Sequence, residues 1–473
     1  MRERFQREPT TGFCLGEGLF QTERRFYWEP DTESNAHAIV WGASGSGKSD
    51  LLRRMIRHLQ QSQKIVMVID VHGDLAVAGE NALVFGGPRP AFGLNPFEFD
   101  PQHRAGPGGQ IDSLLATFRK TYLAAMGSVQ ELVLRQLIAD LYRTAGIVAD
   151  QPETWTRTPP TMAHLRELLE AIQTAVTSGL GAFAQTLHQK GQQLEQWHAD
   201  ALALATAPGG QAGQAALQGK IAAAKRTLMQ AFEVYVERRY GPAAAGDTGD
   251  TLDIGQVRLT LAPYRRKAAA RALDSIGMYV AALDDHGIFH PVSPPVTVGV
   301  NRFDLSGLSD QARVFLTDTL LERLFRKLRA RGEYQPSARG ARVDTFVLVD
   351  EAQLVIPTRT KERDDPTQIL NRLVSEARKF GAGLILVSQS PNVFPRAVLA
   401  NVARKIGLRT QAIDIPAARR ALGLADEQLF RQAQQPRVAM YSTREGGFEP
   451  VTLGSEADEG LSSKPDVPEN VRN

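Results

Sequence analysis

The stretch "HAIVWGASGSGKSDLLRRMIRHLQ", residues 37–60, changes character twice. It opens on a short apolar run of strand type, passes through small residues, and ends with apolar side chains at helical spacing. The glycines therefore join a strand to a helix. Gly42, Gly47, Lys48 and Ser49 satisfy the pattern GxxxxGK[ST]. In that pattern the backbone N–H groups of a tight loop and of the first helical turn converge on one concavity that favours phosphate oxygens. Residues Gly42, Ala43, Ser44, Gly45, Ser46, Gly47, Lys48 and Ser49 are the expected nucleotide cradle, with Lys48 reaching the β and γ phosphates and Ser49 a Mg2+ ion.

Nucleotide hydrolysis also needs a carboxylate on the metal side and a group that orients or deprotonates the attacking water. The run "DTFVLVDEAQ", 344–353, offers both. Phe346 to Val349 read as a buried parallel strand, and Asp350 and Glu351 follow at its carboxyl end, where open α/β sheets bind ligands. Asp350 is expected to hold Mg2+ through water and Glu351 to polarise the nucleophilic water. A second strand, "GLILVSQS" at 383–390, ends on Gln389, whose amide can hydrogen-bond the γ phosphate or the lytic water. A third, "KIVMVIDVHGDL" at 64–75, brings Asp70 and His72 to the same crevice, His72 in a structural rather than a chemical role.

Composition bounds the remaining readings. The 473 residues are 42% hydrophobic and 23% charged, enough for one large or two to three ordinary domains. A net charge of +3 is too small to imply a polyanionic partner, so any such partner must be argued from local charge. Cys14 is the only cysteine, which excludes an internal disulfide and a multi-cysteine zinc site. The amino terminus "MRERFQREPT" is charged and no run approaches a membrane span, so a cytoplasmic protein without a membrane partner is expected.

Taken in order, the phosphate loop, "VIDVHGDL", "GLNPFEF" at 93–99, "LVDEAQ" and "EARKFGAGLILVSQSP" at 376–391 resemble the HerA/FtsK superfamily of DNA-pumping ATPases, over residues 36–100 and 296–443. The resemblance implies a RecA-like, mostly parallel α/β sheet, ATP and Mg2+ as cofactors, and hydrolysis at subunit interfaces. It also implies a homo-hexamer threaded by double-stranded DNA. Arg378, before the "KFG" turn, corresponds to an arginine that enters the neighbouring subunit's site. There a cation offsets the charge on the transferring phosphoryl group. A cation ending the helix expected over 366–380 also satisfies the helix dipole. Arg404 and Arg409 are the reserve candidates. HerA carries a β-barrel ahead of its motor, whereas 1–36 reads as a short segment in which the barrel is missing or reduced to a strand or two.

The first motor part, 37–100, and the second, 296–455, are separated by 101–295, too long for a loop and expected to be an inserted all-α domain. Helical spacing recurs in "IDSLLATFRKTYLAAM", "VQELVLRQLIADLYRTAGI" and "TPPTMAHLRELLEAIQTAV". An antiparallel helical pair over 183–238, broken by a flexible turn at 207–214, precedes a linker at 241–250. Basic clusters at 265–271, 326–332 and 357–366 are candidate phosphate contacts, with Arg359, Lys361 and Arg363 preferred because they follow the acidic strand end. Solvated helix faces carry the same residues. Residues 456–473 read as a disordered tail. The expected activity is an ATP-driven double-stranded DNA translocase or helicase serving a partner nuclease or effector. A secretion ATPase moving protein or nucleoprotein, or a nucleotide-gated scaffold for a defence effector, is the alternative.

Overall fold

A computed structural model describes residues 12–33, 35–87, 90–121, 127–177, 196–197, 199–200, 203, 211–240, 251–335, 343–356, 368–424, 427–443 and 447–455. The chain forms two compact units, one comprising 1–96, 116–124 and 283–473, the other 97–115 and 125–282.

The first unit is built on one sheet of eleven strands. In chain order these are β1 (Phe13–Gly18), β2 (Arg25–Trp28), β3 (Ala38–Trp41), β4 (Ile65–Asp70), β5 (Asn81–Val84), β8 (Gly299–Asp304), β9 (Thr345–Val349), β10 (Ala382–Ser388), β11 (Arg404–Gly407), β12 (Val438–Ser442) and β13 (Phe448–Leu453). Across the sheet the order is β2-β1-β13-β12-β11-β3-β10-β9-β4-β8-β5. Pairing is parallel from β11 to β5 and antiparallel from β11 to β2. Every residue of β3, β9 and β10 is buried, as expected of central strands covered on both faces. Helix α1 (Lys48–Gln61) covers one face through Leu51, Leu52, Met55, Ile56 and Leu59. Each such side chain contributes roughly 1.5–3 kcal/mol on burial.

Parallel order has a chemical consequence. The phosphate loop follows β3, the 71–75 loop follows β4, Asp350 and Glu351 follow β9, and Gln389 follows β10, so all four sit at one edge of the sheet. The carboxyl ends are aligned by register, with Ser388 paired to Trp41 and Leu386 to Val349.

The amino-terminal segment, expected to be short with the barrel missing or reduced to a strand or two, supplies β1 and β2 to the antiparallel end of this same sheet. Its anchor is a buried ion pair: Arg404 Nε donates to Glu33 Oε1 at 2.8 Å, both side chains 4% exposed, and Arg404 Nη1 donates to the Ser442 carbonyl at 2.8 Å. Arg404 is thereby removed from the candidates for a cation in trans.

The second unit contains α2 (Gly106–Lys120) through its first part, α3 (Ser128–Thr144), α4 (Met162–Thr177), and the helices Gln211–Tyr240 and Lys267–Asp284. Leu134, Leu137, Ile138, Leu141, Leu165, Ile172, Leu273 and Ile276 are buried there. It is not all-α. Strands β6 (Thr251–Ile254) and β7 (Val257–Thr260) form an antiparallel hairpin turning at Gly255 and Gln256. The reason is visible in "TLDIGQVRLT": apolar residues alternate at period two on either side of the turn. Asp253 faces Arg258 across the pair with contacts of 2.8 and 3.2 Å. Of the turn expected at 207–214, Gln211 to Gln214 belong to a helix, and 207–210 lie outside the described residues. Alanine and glutamine around the single Gly213 favour that continuation. The expected linker at 241–250 and tail at 456–473 lie outside the described residues.

Candidate nucleotide site

The loop between β3 and α1 is close-packed where it leaves the sheet. A Cβ on Gly42 would lie 2.6 Å from Ser46 Oγ and 2.9 Å from Leu408 Cβ, so only glycine fits there. Gly47 sits at φ 94°, in the left-handed region, and is the N-cap of α1 without any side-chain cap. The amides of Gly42, Ala43 and Ser46 already donate to Ser388, Arg409 and Ala43 carbonyls, at 3.2, 2.8 and 3.2 Å. Among the described residues this leaves Ser44, Gly45, Gly47, Lys48 and Ser49 to present their amides to an anion at a helix N-terminus. The Lys48 ammonium folds back 3.4 Å from the Gly42 carbonyl, across the mouth of the loop.

Opposite the loop, Asp350 is 4% exposed. Burial first, then the charge of Glu351, pushes its carboxyl up to about 7. Glu351 is held below the ordinary range despite burial, because Gln389 and Gln353 donate hydrogen bonds to it. Gln389 Nε2 lies 3.1 Å from Glu351 Oε1, His72 Nε2 lies 3.3 Å from the same oxygen, and Gln353 Nε2 donates to Oε2. Glu351 has φ 53°, a left-handed conformation that costs a non-glycine residue about 1–3 kcal/mol and is retained where surroundings over-determine it.

The loop after β4 completes the site. Asp70, fully buried, accepts from Gly73 N at 2.8 Å, Leu75 N at 3.1 Å and Arg302 Nη1 at 3.2 Å. It shapes the loop that carries His72 to Glu351 and Asp74 to Ser49, where Ser49 Oγ donates to Asp74 Oδ2 at 2.7 Å. Carboxylate oxygens of Asp70, Asp74 and Asp350 lie within 4.8 Å of one another. Asp70 is occupied by its own loop, so Ser49, Asp350 and Asp74 are the oxygen groups available to a hard divalent cation, the donor chemistry Mg2+ prefers. The arrangement fits a Mg2+–nucleotide: uncapped helix amides and Lys48 for phosphate, hydroxyl and carboxylate oxygens for the metal.

The structure thus brings Lys48, Ser49, Asp350, Glu351 and Gln389 together. His72, expected in a structural role, touches Glu351. Asp74, Gln353 and Ser388 were not expected there. Asp74 lay in plain view at a strand's carboxyl end, while the pairing of Gln353 with Ser388 has no signal within either segment. Arg378 is elsewhere. The helix expected over 366–380 is described as Ile369–Glu376 followed by a 3-10 turn, Ala377–Phe380, which contains the exposed Arg378. That turn precedes β10, at the opposite edge of the sheet from Gln389. Arg409, a reserve candidate for the neighbour's site, lies over the phosphate loop of its own chain, its Nη2 4.0 Å from the Cβ position of Gly45. Arg359, Lys361 and Arg363 lie outside the described residues. No helix among the described residues is long and apolar enough to cross a membrane.

Comparison with known proteins gives likenesses in family and fold. Residues 29–98 match the family described as type IV secretion-system coupling protein DNA-binding domain, and residues 306–432 match zonular occludens toxin (Zot). A probable helicase, MJECL08, of Methanocaldococcus jannaschii is 29% identical over 111 residues, 23% of this chain and 21% of that protein. The DNA double-strand break repair helicase HerA of Pyrococcus furiosus is 29% identical over 136 residues, 23% of this chain and 24% of that protein. The matches therefore span about a quarter or less of these curated relatives. Among solved structures, VirB4 of Thermoanaerobacter pseudethanolicus superposes with a TM-score of 0.55 at 15% identity, covering 96% of this chain and 99% of that one. The conjugative coupling protein TrwBdeltaN70, in its trigonal form with sulphate, gives 0.51 at 15% identity over 95% and 91%. These two likenesses concern the fold. The ordered motifs and the partial matches to families and relatives together support a HerA/FtsK-type P-loop ATPase superfamily.

Proposed function

We propose that the chain hydrolyses ATP with Mg2+ and uses the energy to move double-stranded DNA through a homo-hexameric ring that serves a partner nuclease or effector. One observation carries the reading: Glu351 is held ionised by Gln389 at the end of the adjacent strand. It shares an edge of the sheet with an uncapped phosphate loop and the buried Asp350. A stationary nucleotide-binding module needs the loop; only hydrolysis needs a carboxylate kept charged by donors where water would attack. In this reading Lys48 holds the β and γ phosphates, Ser49 and Asp350 the metal, Gln389 senses the γ phosphate, and Arg378 completes a neighbour's site. Arg359, Lys361 and Arg363 remain the proposed channel contacts.

The test is ATP turnover with and without linear duplex DNA, together with particle images in a slowly hydrolysed analogue. Duplex DNA is expected to raise turnover several-fold, with stimulation falling steeply as salt rises because phosphate contacts release counterions. The images are expected to show six subunits around DNA. A second reading, a secretion ATPase moving protein or nucleoprotein, is favoured by the match of residues 29–98 to a secretion coupling family. Stimulation by a protein substrate but not by DNA would select it.

The raised Asp350 carboxyl adds a pH dependence. Below about 7 the group is protonated and neutral, above it charged. A cation favours the charged form, so Mg2+–ADP binding is expected to release a proton and to tighten as pH rises through about 7. Below that point affinity falls by up to about tenfold per pH unit. Calorimetry in two buffers of different ionisation enthalpy reads the proton directly. Asp350→Asn is expected to abolish the release, and an unchanged release in that variant would assign the proton to another group.

A further inference from the structure

Glu351 accepts more hydrogen bonds than its role in orienting water requires. An ionised carboxylate offers about four acceptor sites and no donor. Oε1 faces Gln389 Nε2 at 3.1 Å and His72 Nε2 at 3.3 Å, and the ring nitrogen turned toward a carboxylate must carry its proton. Oε2 accepts from Gln353 Nε2. Three sites are filled, and one, on Oε2, is left.

What selects that site is the orientation of Gln353. Its Oε1 accepts from Ser388 Oγ at 2.9 Å, and with the oxygen fixed there the amide nitrogen must face Glu351. A flipped amide would set its oxygen against the carboxylate. Ser388 is itself 1% exposed and held at both ends: its hydroxyl accepts from Ser390 N at 3.3 Å, and its carbonyl accepts from Gly42 N at 3.2 Å. Local backbone makes the reach possible. Glu351 in the left-handed region turns the chain into the 3-10 segment Ala352–Val355, which brings the side chain two residues on back over Glu351.

We propose that Gln353, oriented by Ser388, is a positioning residue for Glu351: it fills one lone pair of Oε2, leaves the other for the attacking water, and ties that choice to the first glycine of the phosphate loop. The proposal rests on reading Glu351 as the group that orients water. Gln353 and Ser388 touch no nucleotide in this scheme. Their loss therefore moves the carboxylate while leaving ground-state binding alone, which is the signature of a lost transition-state alignment.

The test uses the full chain with Gln353→Met, which keeps length and removes both polar atoms, and Ser388→Ala, which deletes one oxygen. For both, kcat for ATP is expected to fall about 10- to 100-fold, with KM for ATP and the Kd of Mg2+–ADP within about twofold of the parent. Unchanged kcat in Ser388→Ala and Gln353→Met, alongside an inactive Glu351→Gln, would overturn this proposal and leave the functional reading standing. Activity retained in Glu351→Gln would overturn that reading first. A raised KM with kcat intact would overturn the positioning role by placing Gln353 against the nucleotide. If Gln353→Met melts early, the single-atom change at Ser388 decides the matter.

Discussion

Glu351→Gln is expected to lower ATP turnover by about 10³-fold while leaving Mg2+–ATP bound about as tightly as in the parent protein. The substitution is nearly isosteric, so the left-handed backbone and the packing around the side chain persist. What changes is charge and donor pattern. The glutamine must turn an N–H toward either Gln389 and His72 or Gln353, all of which now donate to a carboxylate. At least one contact becomes donor against donor, and the group can no longer draw a proton from water. The proposed ligands of phosphate and metal, Lys48, Ser49 and Asp350, are untouched. Phosphate-release kinetics measure turnover, and a fluorescent nucleotide measures binding. Turnover within about threefold of the parent would remove Glu351 from the chemistry.

Arg378→Ala is expected to reduce turnover by about 10³-fold or more, the range found for arginines that complete a phosphoryl-transfer site. ATP binding and assembly should remain. The fold restricts how this residue can act. Arg378 stands just before β10, and Gln389 just after its seven residues, so roughly 20 Å of extended chain separates them. Its charge is felt instead by His37, next to the start of β3 at the same edge, whose ring is driven down to about 4 mainly by burial. No arginine side chain spans the sheet from there to its own chain's Lys48 and Glu351. If Arg378 meets a nucleotide, that nucleotide is held by another subunit. Mixing Arg378→Ala with Lys48→Ala subunits should therefore restore activity to a fraction of the interfaces, since each defect then resides on a different face. Full activity in Arg378→Ala would make the residue structural, and failure of complementation with both variants assembled would place its effect within its own subunit.

Both expectations depend on features with very different visibility in the sequence. The phosphate loop is legible because its chemistry is local: consecutive amides, one turn of helix, and a lysine and serine adjacent to them. Asp350, Glu351 and Gln389 are legible for a related reason. Each directly follows an apolar run that can only be a buried strand, and parallel strands present their carboxyl ends together. The hairpin at 251–260 is equally local: it stands between two helical runs, and its alternation and Gly255 carry the signal. The helix before β10 ends at Glu376 rather than at the expected 380, because its closing turn tightens to 3-10 ahead of Gly381.

The sequence by itself determined the strand-to-helix loop, the acidic strand end and the alternating order that yields a parallel sheet, since these follow from side chains close along the chain. Only the tertiary structure decided that Arg404 pairs with Glu33, that Asp74 receives the Ser49 hydroxyl, and that Ser388 orients Gln353. Those partners are 371, 25 and 35 residues apart. A hydrogen bond is made within about 3 Å, and separations of that kind are closed only by which strands become neighbours and in what register.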